Sequence, residues 1–225
     1  MIPIKDDIPT RTFPFVTIAL IAVNTLVFFY EVMLGPRGIE LFIYKTAAIP
    51  FEVTRMVDIY PRSVVHPPLT LLTAMFVHGG LLHLAGNMLF LWIFGDNIED
   101  VMGHYRFIVF YLLVGLAASM THVLADVNST VPMVGASGAV AGILGAYFVL
   151  FPRANVQTLV FLIFFVTVVR IPAVVFLGLW FVFQILSSGS ADGIAWFAHI
   201  GGFAAGVIGV YIFSSRQGRR PTPLR

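Results

Sequence analysis

Residues 135–147 read GASGAVAGILGAY, and the interpretation of the whole chain starts from this stretch. It places the hydroxyl group of Ser137 among small residues, where a loop gives way to an apolar segment. Loop-forming residues at 128–132 precede it, so the pattern predicts a helix that begins at Ser137 and ends near Phe151-Pro152. The free backbone N–H groups of a first helical turn favour developing negative charge beside that hydroxyl. A serine that merely caps a packing helix would have the same local sequence.

The composition is that of a protein with several membrane spans. Hydrophobic residues make up 59% and charged residues 11% of the 225 positions, against about 25% charged residues in soluble proteins. Cysteine is absent, which excludes disulfides and thiolate metal sites. The net charge of +2 is small and the basic residues lie in loops and at the ends, which gives no support for nucleic-acid binding. The first apolar run lacks a small-residue cleavage site, so we interpret it as an anchor.

Apolar segments predict an all-α fold, a polytopic bundle of six transmembrane helices within a membrane domain of residues 13–213. The predicted spans are 13–34, 81–95, 105–125, 137–151, 171–187 and 193–213. A polar arm, residues 1–12, precedes the domain, and a basic tail, residues 214–225, follows it.

Three connecting segments carry their own predictions. Residues 35–70 mix charged and apolar residues and predict a long external loop of interfacial character. Residues 96–100, DNIED, predict a polar turn, in which Asp96 and Glu99 close the turn or cap the third span. Residues 156–169 are apolar but precede Arg170 and Pro172, and we interpret them as an interfacial or re-entrant segment.

The basic residues predict the orientation in the membrane. With six spans, one side of the membrane collects nine of them: Lys5, Arg11, Arg106, Arg153, Arg170, Arg216, Arg219, Arg220 and Arg225. The other side has four: Arg37, Lys45, Arg55 and Arg62. The positive-inside rule therefore predicts cytoplasmic termini and an external 35–70 loop, in a multi-pass protein of the plasma membrane.

Polar side chains gather near the predicted outer ends of spans two, four and six. His83 and Asn87 are four residues apart on one face of span two, Ser137 opens span four, and His199 lies about two turns into span six. Polar groups at membrane depth usually face the bundle interior or a cavity. A nucleophile, a base and two hydrogen-bond donors are the groups that acyl transfer requires. A core histidine bonded between helices is the alternative for His199.

Small residues predict that the fourth and sixth helices pack closely. Gly138 and Gly142 are four residues apart in one helix, and Gly202 and Gly206 repeat that spacing in the other. His199 precedes Gly202 by three residues and therefore lies on the same helical face.

The sequence gives little support for a catalytic metal site or for a catalytic aspartate. His78 and His83 could be metal ligands, but a spacing of five is poor for one helical face. The chain has no His-Glu-x-x-His zinc motif, and the residues before Asp96 do not form a Gly-x-Gly-Asp motif. We therefore predict neither a metal nor an organic cofactor.

The motif Gly135-Ala136-Ser137-Gly138, together with upstream histidines and a downstream Ala-His-x-x-Gly pattern, resembles the rhomboid family of intramembrane serine proteases. The resemblance covers nearly the whole chain. It implies a dyad of Ser137 as nucleophile and His199 as general base. It further implies oxyanion donors at His83 and Asn87, and structural roles for His78, Gly135, Gly138, Gly202 and Gly206.

The chain departs from the family at two points. A Trp-Arg pair found in the first loop of some members is absent. Ala141 stands where some members carry an aromatic residue that packs on the catalytic histidine, so the sequence does not predict what orients His199.

The function implied is endopeptidase cleavage of transmembrane protein substrates, with membrane lipids as the other partners. A catalytically inactive relative that binds membrane helices is the first alternative, although such a protein would be expected to lose Ser137 or His199. A transporter or channel is the second, but the broken helices and midplane charges typical of that class are missing.

Overall fold

The computed structural model describes residues 1–59, 65–161, 165–190 and 193–214. Its helices are α1 (Phe15–Met33), α2 (Gly35–Thr46), α3 (Pro50–Arg55), α4 (Pro67–Thr73), α5 (Leu81–Met102), α6 (His104–Ala125), α7 (Ser137–Leu150), α8 (Ala173–Ser187) and α9 (Trp196–Phe213). Its strands are β1 (Ile2–Lys5), β2 (Asn155–Phe161) and β3 (Val166–Pro172). Of the predicted basic tail, only Ser214 is described, and the rest lies outside the described residues.

Four of the described helices, α1, α5, α6 and α9, are long and apolar enough to cross a membrane. The apolar helices α7 and α8 fall where spans four and five were predicted, but they have only 14 and 15 residues. At 1.5 Å per residue they reach about 21 and 22 Å, less than the ~30 Å of a hydrocarbon core. The prediction of six spans therefore stays a prediction.

Helix α7 is the buried centre of the bundle. Every residue from Gly138 to Tyr147 is buried, as expected for a helix that is apolar on all sides. Helices α5, α6 and α9 surround it, and its most extensive contacts are with α9. Its N-terminal residue, Ser137, is half-buried, so the surrounding helices leave one end of α7 accessible.

Glycine residues let α7 and α9 approach backbone to backbone. A Cβ atom added at Gly206 would fall on the carbonyl oxygen of Gly142, and one added at Gly202 would fall on that of Gly138. Side chains larger than a hydrogen atom would force the two helices apart at these positions. The close packing predicted from the glycine spacing is present.

The all-α prediction is wrong for residues 155–161 and 166–172, which form the paired antiparallel strands of the β2–β3 hairpin. The interfacial or re-entrant position predicted for residues 156–169 stays a prediction. Strand β1, within the predicted polar arm, pairs antiparallel with β2, so the sheet order is β1-β2-β3. The hairpin is rich in β-branched residues that suit a pleated strand. Alternate residues of β2, Val156 and Thr158, are buried, whereas the valines of β3 are exposed.

The polar turn predicted at residues 96–100 is also wrong, because α5 continues to Met102. Glu99 is fully buried and does not cap the third span. Its carboxylate accepts hydrogen bonds of 2.9 and 2.8 Å from the backbone N–H groups of Val16 and Thr17, and one of 2.7 Å from the Thr17 hydroxyl. His104 lies 2.6 Å from the same carboxylate. Glu99 therefore caps α1 from a neighbouring helix.

The long loop predicted at residues 35–70 contains ordered helices in its described part: α2, α3 and the start of α4. Prolines at the first turns of these helices favour their starts. An isolated antiparallel bridge joins Ala48 to Met133, just before the start of α7. This segment therefore packs at the end of the bundle where α7 begins, and the sheet lies at the other end.

The N-terminal arm is held at the sheet end by a buried carboxylate. Asp6 accepts hydrogen bonds from the Tyr147 hydroxyl of α7 and, at 2.9 Å, from the side-chain amide of Asn97. Burial raises the pKa of Asp6 from its ordinary 3.8 to about 6, although the Tyr147 hydrogen bond acts in the opposite direction. The arm is thus bound to α5 and α7 by a carboxyl group whose pKa is raised by burial.

We predict that Gly206→Ala lowers the free energy of unfolding by roughly 1–3 kcal/mol, because the added methyl group collides with the α7 backbone. Thermal unfolding in detergent micelles measures the effect. The matched control is Gly178→Ala in α8, where the nearest atom to an added Cβ, in Phe148, is 3.9 Å away. The control should unfold at or slightly above the wild-type temperature. Equal unfolding temperatures for both variants would contradict the close α7–α9 packing.

The Asp6 contact predicts a pH dependence of stability. The folded protein binds this proton more tightly than the unfolded chain does, so the stability that Asp6 contributes falls as the pH rises from about 4 to about 6. Asp6→Asn keeps an acceptor oxygen but cannot ionise. The unfolding temperature of the variant relative to wild type should therefore rise between pH 4 and pH 7. A difference that does not change with pH would show that the carboxyl is not perturbed by folding.

Candidate active site

Ser137 and His199 are hydrogen-bonded to each other. The His199 Nε2 atom lies 2.9 Å from the Ser137 Oγ atom, although 62 residues separate them in the chain. Ser137 is the first residue of α7, and His199 lies in the first turn of α9. The glycine contacts between these two helices bring both side chains to the same end of the bundle.

Polar and aromatic side chains surround the His199 ring on its other sides. Its Nδ1 atom lies 2.7 Å from the Oε1 atom of Gln184 in α8. The rings of Trp180 and Trp196 are each 6.0 Å from the imidazole, centroid to centroid, at interplanar angles of 35° and 83°. These contacts orient the His199 ring although position 141 is an alanine and carries no aromatic ring.

Asn87 and His83, both on α5, line the same cavity as Ser137. Asn87 is buried, and its side-chain nitrogen has no hydrogen-bond partner among the described residues. A buried amide donor without a partner costs free energy unless something binds it. It can therefore donate to an oxygen atom that enters the cavity.

Gly135 allows the His83 ring to lie beside the serine. A Cβ atom at Gly135 would come within 2.7 Å of the His83 ring, and its φ of +123° disfavours any residue with a side chain. The Gly135 N–H donates to the carbonyl oxygen of Ala74 at 2.8 Å, which ties this loop to the segment before α5. Gly138, one turn further on, faces the Cβ of Ala118 in α6 at a distance that leaves no room for a side chain.

His78 lies behind His83 and does not line the cavity. Its side chain is 1% exposed, and its ring packs edge-on against that of His83, with 5.2 Å between centroids. The carboxylate of Glu31 in α1 accepts a hydrogen bond of 3.3 Å from its backbone N–H. His78 is therefore placed to support His83 and not to contact a bound molecule.

The four polar residues predicted from the sequence, Ser137, His199, His83 and Asn87, share one cavity of about 1000 Å³. Its apolar wall includes Phe90, Val140 and Leu144. Its rim includes residues of the loop 126–136, Ser190 and residues 193–195. Within the part of the chain that the structure describes, no group of three His, Cys, Asp or Glu side chains is placed to bind a metal ion. The cavity can hold a peptide segment, and a hydroxyl, an imidazole and an amide donor line it.

Sequence reasoning missed Gln184, Trp180 and Trp196 as parts of the site. Gln184 offered a signal, because it is the one amide in the otherwise apolar body of α8, and polar groups at membrane depth are usually functional. His122 of α6 also lines the cavity, together with Asp126, which directly follows α6. The two tryptophans could not be distinguished from lipid-facing aromatic residues by sequence alone.

Comparison with known proteins supports the resemblance. The chain matches the Rhomboid domain family over residues 66–216. It is 30% identical to "Rhomboid protein 1, mitochondrial" of Saccharomyces cerevisiae over 176 residues, 73% of this chain and 47% of that protein. It is 43% identical to "Rhomboid protease GluP" of Bacillus subtilis over 76 residues, 34% of this chain and 14% of that protein.

A third relative is "Presenilin-associated rhomboid-like protein, mitochondrial" of Mus musculus, 33% identical over 78 residues, which are 34% of this chain and 21% of that protein. The matched regions thus span less than half the length of each of these three relatives.

The Ser137–His199 geometry predicts a single activated serine. A fluorophosphonate probe should label Ser137, because His199 can accept the proton as the hydroxyl attacks phosphorus. Ser137→Ala should abolish labelling, and His199→Ala should slow it by roughly 10²–10⁴-fold. Mass spectrometry of the digested protein locates the label.

The matched control for this labelling is Ser129→Ala. The Ser129 hydroxyl group lines the same cavity but accepts a hydrogen bond of 3.3 Å from the Val131 N–H. This variant should label at the wild-type rate. A label on any serine other than Ser137 would contradict the assignment of the nucleophile.

Proposed function

The chain belongs to the rhomboid family, and we propose that it is an intramembrane serine endopeptidase that cleaves other membrane proteins in or near their transmembrane segments. The observation that carries this proposal is the 2.9 Å hydrogen bond between the Ser137 hydroxyl and the His199 imidazole. It lies in a cavity large enough for a peptide segment, beside an unpartnered amide donor. An inactive relative that only binds helices would have no use for this arrangement.

The first half of the reaction forms an acyl-enzyme. The Ser137 Oγ atom attacks the scissile carbonyl carbon while His199 Nε2 takes the hydroxyl proton. His199 then gives that proton to the leaving nitrogen, the C–N bond breaks, and the C-terminal part of the substrate departs as an amine. The N-terminal part remains attached to Ser137 as an ester.

The second half consumes one water molecule. His199 takes a proton from the water, the oxygen attacks the ester carbonyl, and the proton passes to Ser137 Oγ as the ester bond breaks. In both halves the carbonyl oxygen becomes an anion. The Asn87 amide, the His83 ring and the first backbone N–H groups of α7 are the donors available to hold it.

The substrate class follows from the chemistry of a membrane helix. Its peptide carbonyl groups already accept hydrogen bonds within the helix, so the segment must unwind before a carbonyl can reach Ser137. Glycine, proline and small polar residues near the cleaved bond make unwinding easier. We therefore propose substrates with such residues near the outer end of a single transmembrane helix. No metal or organic cofactor takes part in this reaction.

The proposed topology has six crossings with both termini on the cytoplasmic side. Two structural features support it. Strand β1 pairs with β2, so the N-terminal arm and the segment after α7 lie at the same end of the bundle. The site lies at the opposite end, where α7 begins. Cleavage would therefore release the non-cytoplasmic part of a substrate.

The chain is an integral membrane protein, but the plasma membrane is not supported as its location. The relatives from Saccharomyces cerevisiae and Mus musculus are named as mitochondrial. With positively charged segments at the termini, the same orientation would apply in any membrane that follows the positive-inside rule.

Cleavage of a single-span substrate in proteoliposomes tests the proposal. The wild-type protein should cut the substrate, and Ser137→Ala should not. Asn87→Ala should reduce kcat roughly 10²–10³-fold by removing one oxyanion donor. The control Asn128→Ala removes an amide of the outer loop, whose oxygen accepts a hydrogen bond from Arg55, and should cleave at the wild-type rate. Wild-type activity in Ser137→Ala would refute the serine-protease mechanism.

A further inference from the structure

We propose that Gln184 is a positioning residue that holds His199 in the tautomer with its proton on Nδ1 and its lone pair on Nε2. The inference rests on the proposed function, in which His199 acts as the base. It assigns a role to a side chain of α8 that does not touch the nucleophile. With Gln184 included, the Ser137 hydroxyl, the His199 imidazole and the neutral Gln184 amide form a chain of hydrogen bonds.

The orientation of the Gln184 amide is fixed by its other hydrogen bond. Its nitrogen donates to the backbone carbonyl oxygen of Trp180 at 3.1 Å, one turn earlier in α8. A carbonyl oxygen can only accept, so the amide nitrogen must face Trp180. The amide oxygen must then face the His199 ring, 2.7 Å from Nδ1. The side chain is only 3% exposed, which leaves it little freedom to turn.

The amide oxygen in turn determines where the imidazole proton resides. An amide oxygen cannot donate, so the Nδ1 atom must carry a hydrogen to form this bond. A neutral imidazole has one N–H group, and Nε2 is therefore left with its lone pair. That lone pair faces the Ser137 hydroxyl at 2.9 Å, as a base must. In the opposite tautomer, the lone pairs of His199 Nδ1 and Gln184 Oε1 would face each other at 2.7 Å.

The indole N–H of Trp196 does not select the tautomer of His199. The rings of Trp180 and Trp196 restrict how the imidazole rotates. The indole N–H of Trp196 donates to the Ser190 hydroxyl at 3.0 Å and so points away from Nδ1.

A neutral amide suits this position better than a carboxylate would. Among the described residues, the other ionisable groups around the cavity are His83 on α5, His122 on α6 and Asp126, which follows the end of α6. A carboxylate in the apolar helix α8 would place a desolvated charge beside His199 and favour the protonated, inactive imidazolium. The amide selects the tautomer without adding a charge. The base is therefore available over a wider range of acidic pH than it would be with a carboxylate partner.

The first experiment compares Gln184→Leu and Gln184→Glu in the proteoliposome cleavage assay. The leucine variant should lose roughly 10–100-fold in kcat with little change in KM, because one buried hydrogen bond to His199 is gone. The glutamate variant restores an acceptor and should recover most of kcat at alkaline pH, but its activity should fall at a higher pH than that of wild type. The control Gln157→Leu, in strand β2, should match wild type.

These results distinguish a positioning role from a merely structural one. A structural role predicts equal losses in both variants and an unchanged pH profile. Either that outcome, or a Gln184→Leu rate within twofold of wild type, would overturn the proposal.

The second experiment reads the tautomer directly and does not depend on cleavage. In protein with ¹⁵N-labelled histidine, the His199 signals are identified by their loss in His199→Ala. At neutral pH the wild type should show a protonated Nδ1 and an unprotonated Nε2, and Gln184→Leu should populate the other tautomer. A protonated Nε2 in the wild type would overturn the proposal. If the wild type has the expected tautomer but cuts no substrate, the proposed function fails and the assignment of Gln184 stands.

Discussion

The close approach of α7 and α9 is the constraint on which the rest of the structure depends. Gly142 and Gly206 face each other with no space for a side chain between the backbones. Only at this separation can residues at the starts of the two helices form a 2.9 Å hydrogen bond between a serine and a histidine. The remaining helices enclose the middle of α7 and leave the end that carries Ser137 accessible. The site is thus a consequence of how two apolar helices pack.

The buried polar groups of the chain fall into two kinds that can be told apart by their hydrogen bonds. Glu99 accepts bonds from two backbone N–H groups and a hydroxyl at the start of α1, with His104 also in contact. Such a fully bonded carboxylate stabilises the fold and has no capacity left for a substrate. Asn87 is also buried, but its amide nitrogen has no partner among the described residues. A donor left in this state beside a nucleophile is what stabilisation of an oxyanion requires.

Much of the site could be predicted from sequence because it depends on local patterns. The start of α7 followed from loop residues before Ser137, and its packing against α9 followed from the spacing of glycines. Gln184 is noticeable in the sequence as the one amide in the apolar body of α8, but its contact with Nδ1 of His199 could not be predicted from local sequence. Its role depends on how three helices are arranged in space.

The errors in the fold prediction have a similar cause. Residues 155–172 read as an apolar membrane approach because β-branched residues suit both a strand and a lipid-facing segment. Strand β2 pairs with β3 and also with β1, which is about 150 residues away in the chain. The polar run at 96–100 suggested a turn, but its side chains are satisfied by the N-terminal arm and by the start of α1. In both cases a long-range partner overrode the local signal.

The most direct test of the account is a reagent that can react with both members of the dyad at once. A peptide chloromethyl ketone presents a carbonyl carbon to a serine hydroxyl and, one atom away, an alkylating carbon to an imidazole. Mass spectrometry of the digested protein should find one molecule of reagent alkylating His199, and Ser137→Ala should largely prevent this alkylation, because the hemiketal that Ser137 forms with the ketone holds the alkylating carbon beside the imidazole. Alkylation of a different histidine, or alkylation of His199 in Ser137→Ala at the wild-type rate, would contradict the dyad.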